Sequence, residues 1–196
     1  MTLRWVFVTH PNVVIDPAVA VPRWPLSGQG RARMRAGLRQ PWVREVTALH
    51  CSTERKAIDT AQILATHLGL AFAEHEDLGE NDRSATGFLP PAEFERVADA
   101  FFAQPQQSVR GWERAVDAQR RIVAAIERIA SSTPADGTVA IVSHGAVGTL
   151  LHCHLAGRAI SRQWDQPANG GGNWYTFTLR PRAVHSGWQP IDMEAA

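Results

Sequence analysis

Cysteine is nearly absent: Cys51 and Cys153 are the only two among 196 residues. That is too few for a disulfide framework and suits a reducing cytosol. Lysine is scarcer still. Lys56 stands alone among 20 basic residues, the others being arginine, and no function is read into that bias. Neither charge is in excess, with 20 basic against 19 acidic residues and a formal net charge of +1. No basic stripe for nucleic acid or a membrane surface is implied by that balance. No run approaches 18 apolar residues, and Leu3–Val8 is too short for the apolar region of a secretory leader. A cytoplasmic protein without a membrane span is expected. Internal repeats and dividing linkers are also missing. What is present is 44% hydrophobic residues over this length, enough for one domain, residues 1–196, with a full-sized core.

The chain is organised around Thr138–Leu151. Val139–Val142 is a continuous apolar run, the mark of a strand buried on both faces. Ser143-His144-Gly145 follows, and Ala146–Leu155 suits a helix. A strand feeding a Gly turn into a helix places His144 at the carboxyl end of a sheet. The free N–H groups and positive dipole end of that helix favour an anion there, and this edge of an open α/β sheet is where ligands bind. A capped helix start with an exposed His is the plain alternative.

Leu3–Thr9 reads as a strand ending on His10. Pro11–Leu26 carries four prolines and no helical period, so it is a long structured loop, a kind usually tied to function. Ser27 can cap a helix through Gln40. Val46–Cys51 is a second strand. Ser52 or Thr53 can cap the next helix, whose Ala57, Ala61, Leu64 and Leu68 form an inward stripe ended by Gly69. Leu70–Ala73 reads as a third strand, leading to Glu80. Asn81–Pro91 is an irregular flap, and Glu93–Ala103 and Trp112–Ala130 are helices. After Gly170–Asn173, a flexible turn, Trp174–Leu179 is a late strand. This alternation predicts an α/β fold, with a mostly parallel sheet between helical layers.

Four polar residues thus follow four strands: His10, Arg55, Glu80 and His144. Singly each has a dull explanation, as a cap neighbour, a surface ion pair or a flap charge. Together they hold what metal-free phosphoryl transfer needs. A neutral imidazole attacks phosphorus, cations hold the oxygens and a carboxylic acid protonates the leaving group.

On these residues the sequence resembles the histidine phosphatase superfamily, in its phosphoglycerate mutase-like branch. The family's first strand ends in Arg-His-Gly, and Leu26-Ser27-Gly28-Gln29-Gly30 matches its Leu-Ser/Thr-x-x-Gly helix start. Its Ser-x-x-x-Arg-Ala-x-x-Thr-Ala stretch is matched from Ser52 through Arg55, Ala57, Thr60 and Ala61, with Lys56 inserted or shifted by one. Leu78-Gly79-Glu80 loosely matches Leu-x-Glu, and Ser143-His144-Gly145 matches the late Ser/Thr-His-Gly.

The resemblance implies a three-layer α/β/α sandwich and a phosphomonoester hydrolase working through a phosphohistidine, without metal or cofactor. His10 would be the nucleophile. Arg55 and His144 would bind phosphoryl oxygens, with Gly145 beside them, and Glu80 would be the general acid/base. The partner would be a small phosphorylated substrate; whether the chain forms a homodimer is left open. Mutase activity is not favoured, because no feature marks a site that retains its product and excludes water.

One departure stands out: Thr9-His10-Pro11 replaces Arg-His-Gly. Thr9 offers one neutral donor where the family has a bidentate cation, and Pro11 lacks the N–H of glycine. Losing a charge-assisted hydrogen bond costs roughly 1.5–3 kcal/mol, unless Arg23 in the long loop reaches back to replace it. The alternative is a catalytically weak member that binds a phospho-ligand. Other constellations fail. Only three residues separate Cys51 from Arg55, too few for the loop of a Cys-based phosphatase. His152 and His154 point apart on a helix and do not make a metal site.

Overall fold

The computed structural model describes residues 3–134 and 136–193. Its sheet contains β1 (Arg4–Thr9), β2 (Val46–Ser52), β3 (Ala73–His75), β4 (Thr138–Ser143), β5 (Asn173–Leu179), β6 (Arg182–Val184) and β7 (Gln189–Pro190). The order is β3-β2-β4-β1-β5-β6, with β7 also on β5. Strands β3, β2, β4 and β1 are parallel neighbours, whereas β5 joins β1 antiparallel and pairs β6 and β7 the same way. The sheet is therefore mixed, its parallel part being the half that carries the sequence motifs. Two short late strands, β6 and β7, have too few residues to show a period.

Alternation along β1 and β4 assigns the two faces. Trp5, Phe7, Val139 and Ile141 pack with α3 (Pro91–Ala103), α4 (Ala115–Ser132) and α5 (Gly145–Leu155). Val6, Val8, Ala140 and Val142 pack with α1 (Gly28–Gly37) and α2 (Arg55–Leu68). Burial on both faces is why these strands read as continuous apolar runs. This is the three-layer arrangement expected.

Helix ends follow local chemistry. Ser27 caps α1, its Oγ accepting from the Gly30 N–H at 3.1 Å. Gly69 ends α2 in the left-handed region, φ 67°, where glycine pays no Cβ penalty. The third strand lies at Ala73–His75 and not at Leu70–Ala73. Only its register against His50, Cys51 and Ser52 of β2 defines it, and it is too short to carry its own signal. The long loop is structured, as expected. Its ends pair at Val13 and Leu26, and the buried Trp24 donates its indole N–H to the carbonyls of Asp16 and Val19, both at 2.9 Å.

Candidate active site

The parallel strands deliver their following residues to one edge. His10 leaves β1 with its N–H donating to the Ser143 carbonyl at 3.1 Å, and His144 leaves β4. The two rings meet edge to face, 5.2 Å between centroids. His10 Nδ1 lies 3.0 Å from the Pro11 carbonyl oxygen. That oxygen can only accept, so Nδ1 carries the proton and Nε2 keeps its lone pair. Removal from water, with the charges of Lys56 and Arg83 adding to it, pushes the ring down to about 4. His10 is thus a neutral imidazole at neutral pH.

Glycines hold the back of this residue. Gly170, Gly171 and Gly172 all have positive φ, and a Cβ on Gly171 would sit 2.3 Å from the His10 carbonyl oxygen. The Gly172 N–H donates to that oxygen at 2.9 Å. The segment read as a flexible turn is a close-packed support.

His144 is fully buried. Its Nε2 lies 2.8 Å from Ser52 Oγ and 3.4 Å from Glu54 Oε1, and its Nδ1 has no partner. Burial holds its pKa well below the ordinary imidazole range against the pull of Glu54, with His10, Lys56 and Arg83 adding to the depression.

Glu80 also sits at this edge, but not as a flap charge. Its Oε2 accepts from the Ala146 N–H at 3.2 Å and its Oε1 from the Val147 N–H at 3.1 Å. The position at the α5 N-terminus where an anion was expected is therefore occupied by the chain's own carboxyl group. Burial raises the Glu80 pKa, with Glu54 contributing, against Arg83 and the two amides. Arg121 of α4 fixes the preceding turn, donating to the carbonyls of Asp77, Gly79 and Glu80 at 3.0, 2.9 and 3.1 Å. Ser143 Oγ donates to the Leu78 carbonyl at 2.7 Å.

Three assignments change. Arg55 faces out, its side chain 60% exposed and paired with Asp59 at 2.8 Å. Asp59 also accepts from Arg31 at 2.6 Å and from the Leu26 N–H at 3.1 Å, so Arg55 belongs to a cluster joining α1, α2 and the long loop. The inward cation is Lys56, whose side chain is 3% exposed. It donates to the Val21 carbonyl at 2.9 Å and is paired with Glu54. Counting from Ser52, the motif Ser-x-x-x-Arg-Ala-x-x-Thr-Ala places its cation at residue 56, followed by Ala57, Thr60 and Ala61. That count was the available signal.

Thr9, 1% exposed, spends its hydroxyl inside the protein. It donates to Gln166 Oε1 at 2.8 Å and accepts from the Asn173 N–H at 2.9 Å, so it offers the site no donor. Arg23 is exposed on the turn Val21–Arg23. The guanidinium that bears on His10, His144, Lys56 and Glu80 is instead Arg83, which lies over the rings of Phe94 and Trp112, 5.0 and 5.8 Å from their centroids. Gly145 opens α5 where a Cβ would be 2.3 Å from Gln166 Nε2. Its lack of a side chain lets Gln166 reach Thr9.

Glu54 is the unforeseen member. Its Oε1 accepts from the Glu80 N–H at 2.9 Å, and its carboxylate is paired with Lys56. Burial opposes ionisation, yet His144, Lys56 and the Glu80 amide pull Glu54 down to about 2. Breaking such a buried pair strands a charge, at a cost of about 3–5 kcal/mol. Lys56→Ala is therefore expected to lose about that much stability, whereas Arg55→Ala should lose under about 1 kcal/mol. Urea unfolding of both variants checks this, and equal losses would contradict the placement.

Among the described residues no three His, Cys, Asp or Glu side chains are grouped so as to hold a metal ion. Nor is any helix there long and apolar enough to cross a membrane. His152 packs against Tyr175 with 5.2 Å between ring centroids, while His154 approaches Arg182 at 3.2 Å.

Residues 20–185 match the histidine phosphatase superfamily (branch 1), a span that begins after His10. Among solved structures, the fold is similar to mycobacterial glucosyl-3-phosphoglycerate phosphatase in complex with inorganic phosphate. The TM-score is 0.80 at 20% identity, covering 97% of this chain and 99% of that one. Bacillus stearothermophilus YhfR gives 0.73 at 22% identity, with 94% and 95% covered. A putative alpha-ribazole-5'-P phosphatase from Escherichia coli gives 0.69 at 14% identity, with both chains covered completely. At these identities the likeness is one of fold. No curated protein matches the sequence.

Proposed function

Because the chain belongs to the histidine phosphatase superfamily (branch 1), we propose that it hydrolyses phosphomonoesters through a phosphorylated His10. The observation that carries this reading is the His10 ring itself. It is neutral, its Nδ1 proton held by the Pro11 carbonyl so that Nε2 carries the lone pair, and it packs edge to face against His144. In the first step the Nε2 lone pair forms the N–P bond as the P–O bond to the leaving group breaks. Glu80 gives that oxygen its proton. In the second step water attacks the phosphohistidine, its proton passes to the Glu80 carboxylate, and the N–P bond breaks. His144, Lys56 and Arg83 stabilise charge on the phosphoryl oxygens. A small phosphorylated compound is the proposed substrate class, as in the neighbours whose names carry glucosyl-3-phosphoglycerate and alpha-ribazole-5'-P.

A second reading, a phospho-ligand binder with weak turnover, is favoured by the pairing of Lys56 with Glu54 and by the inward hydroxyl of Thr9. Turnover of an aryl phosphate, followed by an acid quench to detect an acid-labile phosphoenzyme, separates the two. The hydrolase reading expects both signals. Phosphate binding with neither signal would establish the binder and overturn the hydrolase.

A further inference from the structure

A carboxylate in the middle of an oxyanion site calls for an explanation. Glu54 stands at the N-cap of α2, yet its side chain makes no cap bond. It turns inward to Lys56, to the Glu80 N–H at 2.9 Å and to within 3.4 Å of His144 Nε2. Each of these partners is a donor that an anionic ligand between the two histidines would use. We propose that Glu54 sets the charge preference of the site, selecting a phosphoryl group with one negative charge over one with two. This rests on the phosphoryl-transfer reading and adds to it the ionic form of the substrate.

The groups facing this point are His10 after β1, His144 after β4, Glu54 and Lys56 at the start of α2, Glu80 on its turn, Arg83 on the flap and Arg121 on α4. Arg121 is already engaged with Glu113 at 2.8 Å and with backbone carbonyls. Glu54 balances Lys56, so among the described residues facing this point the remaining positive charge is that of Arg83, opposed by Glu80 whenever its carboxyl is ionised. A doubly charged group would bring at least one charge more than the site compensates, in surroundings where like charges repel strongly. A singly charged group meets no such excess, and its remaining proton can donate to the Glu54 carboxylate. The inward-turned Thr9 fits the same scheme, since a neutral residue there does not raise the positive charge.

Methanesulfonate and methylphosphonate test this directly. They have nearly the same shape, but above its second ionisation the phosphonate carries one charge more. Calorimetry at pH 8.5 on the full chain should find the sulfonate bound at least as tightly as the phosphonate. Glu54→Gln removes the charge and keeps one acceptor oxygen, for Lys56 or for the Glu80 N–H, its NH₂ facing the other donor. It should reverse the preference, favouring the phosphonate by about tenfold or more. Glu54→Asp, which keeps the charge, should not reverse it. A wild-type preference of tenfold or more for the phosphonate would overturn the proposal even if neither variant folds. So would an unchanged ratio in a folded Glu54→Gln. Binding of neither anion to either protein would remove the oxyanion site itself, and the hydrolase reading with it. If phosphonate preference in the wild type accompanies aryl phosphate turnover, only the role of Glu54 falls.

Discussion

Replacing His10 with alanine is expected to abolish turnover, lowering kcat for an aryl phosphate by about 10³-fold or more. No other group described at this edge combines a neutral nitrogen with a free lone pair and a backbone acceptor that fixes its tautomer. His144 fails as a substitute: it is fully buried, with Nε2 facing Ser52 and Glu54. The fold should survive. The side chain makes one hydrogen bond, to its neighbour's carbonyl at 3.0 Å, worth about 1 kcal/mol. The backbone bonds from Gly172 and to Ser143 do not depend on the ring. The acid-labile phosphoenzyme should vanish with the activity, as mass spectrometry after an acid quench would show. Retention of more than about a tenth of the wild-type rate would mean that the reaction does not pass through His10.

His10 and His144 were legible because they end strands buried on both faces, and such strands announce themselves as short apolar runs. Their partners lacked that advantage. Arg55 and Lys56 are adjacent at the start of one helix, where a step of one residue turns a side chain by about 100°. The guanidinium of Arg55 has the fork suited to phosphate, but the spacing from Ser52 falls on Lys56. Glu54 occupies a position the family pattern leaves free, so its inward turn shows only once Lys56 is seen to need a counter-ion. Arg121 meets the Glu80 turn from 41 to 44 residues away, and Gln166 meets Thr9 across 157. No local period encodes such contacts. Arg83 lies in the flap, and an irregular segment does not indicate where its guanidinium goes. The layers of the fold were legible because burial repeats along strands and helices. The charge balance of the site was not, because it depends on which side of a helix start one residue faces.

Glu80→Gln is expected to separate substrates by their leaving groups. Alkyl phosphates, whose departing oxygen needs a proton, should slow by about 10²–10⁴-fold. Activated aryl phosphates, which leave as stable anions, should slow far less. The pH profile supplies a second reading of the same role. His10 must be neutral to attack, so the rate falls as pH drops through its pKa of about 4. Glu80 must be protonated to act as the acid, and burial raises its pKa above the ordinary carboxyl value. The rate on alkyl phosphates therefore falls again as pH rises through that raised value, and this alkaline fall should disappear in Glu80→Gln. The variant has its own structural cost. Both carboxyl oxygens accept from backbone amides at 3.2 and 3.1 Å, and one of them becomes an NH₂ facing another donor. An unsatisfied buried group of this kind costs about 1–3 kcal/mol, so thermal melting must accompany the kinetics. Equal loss on alkyl and aryl phosphates by a folded variant, with the alkaline fall intact, would remove Glu80 from the acid role. It would leave Glu80 as the residue that closes the N-terminus of α5.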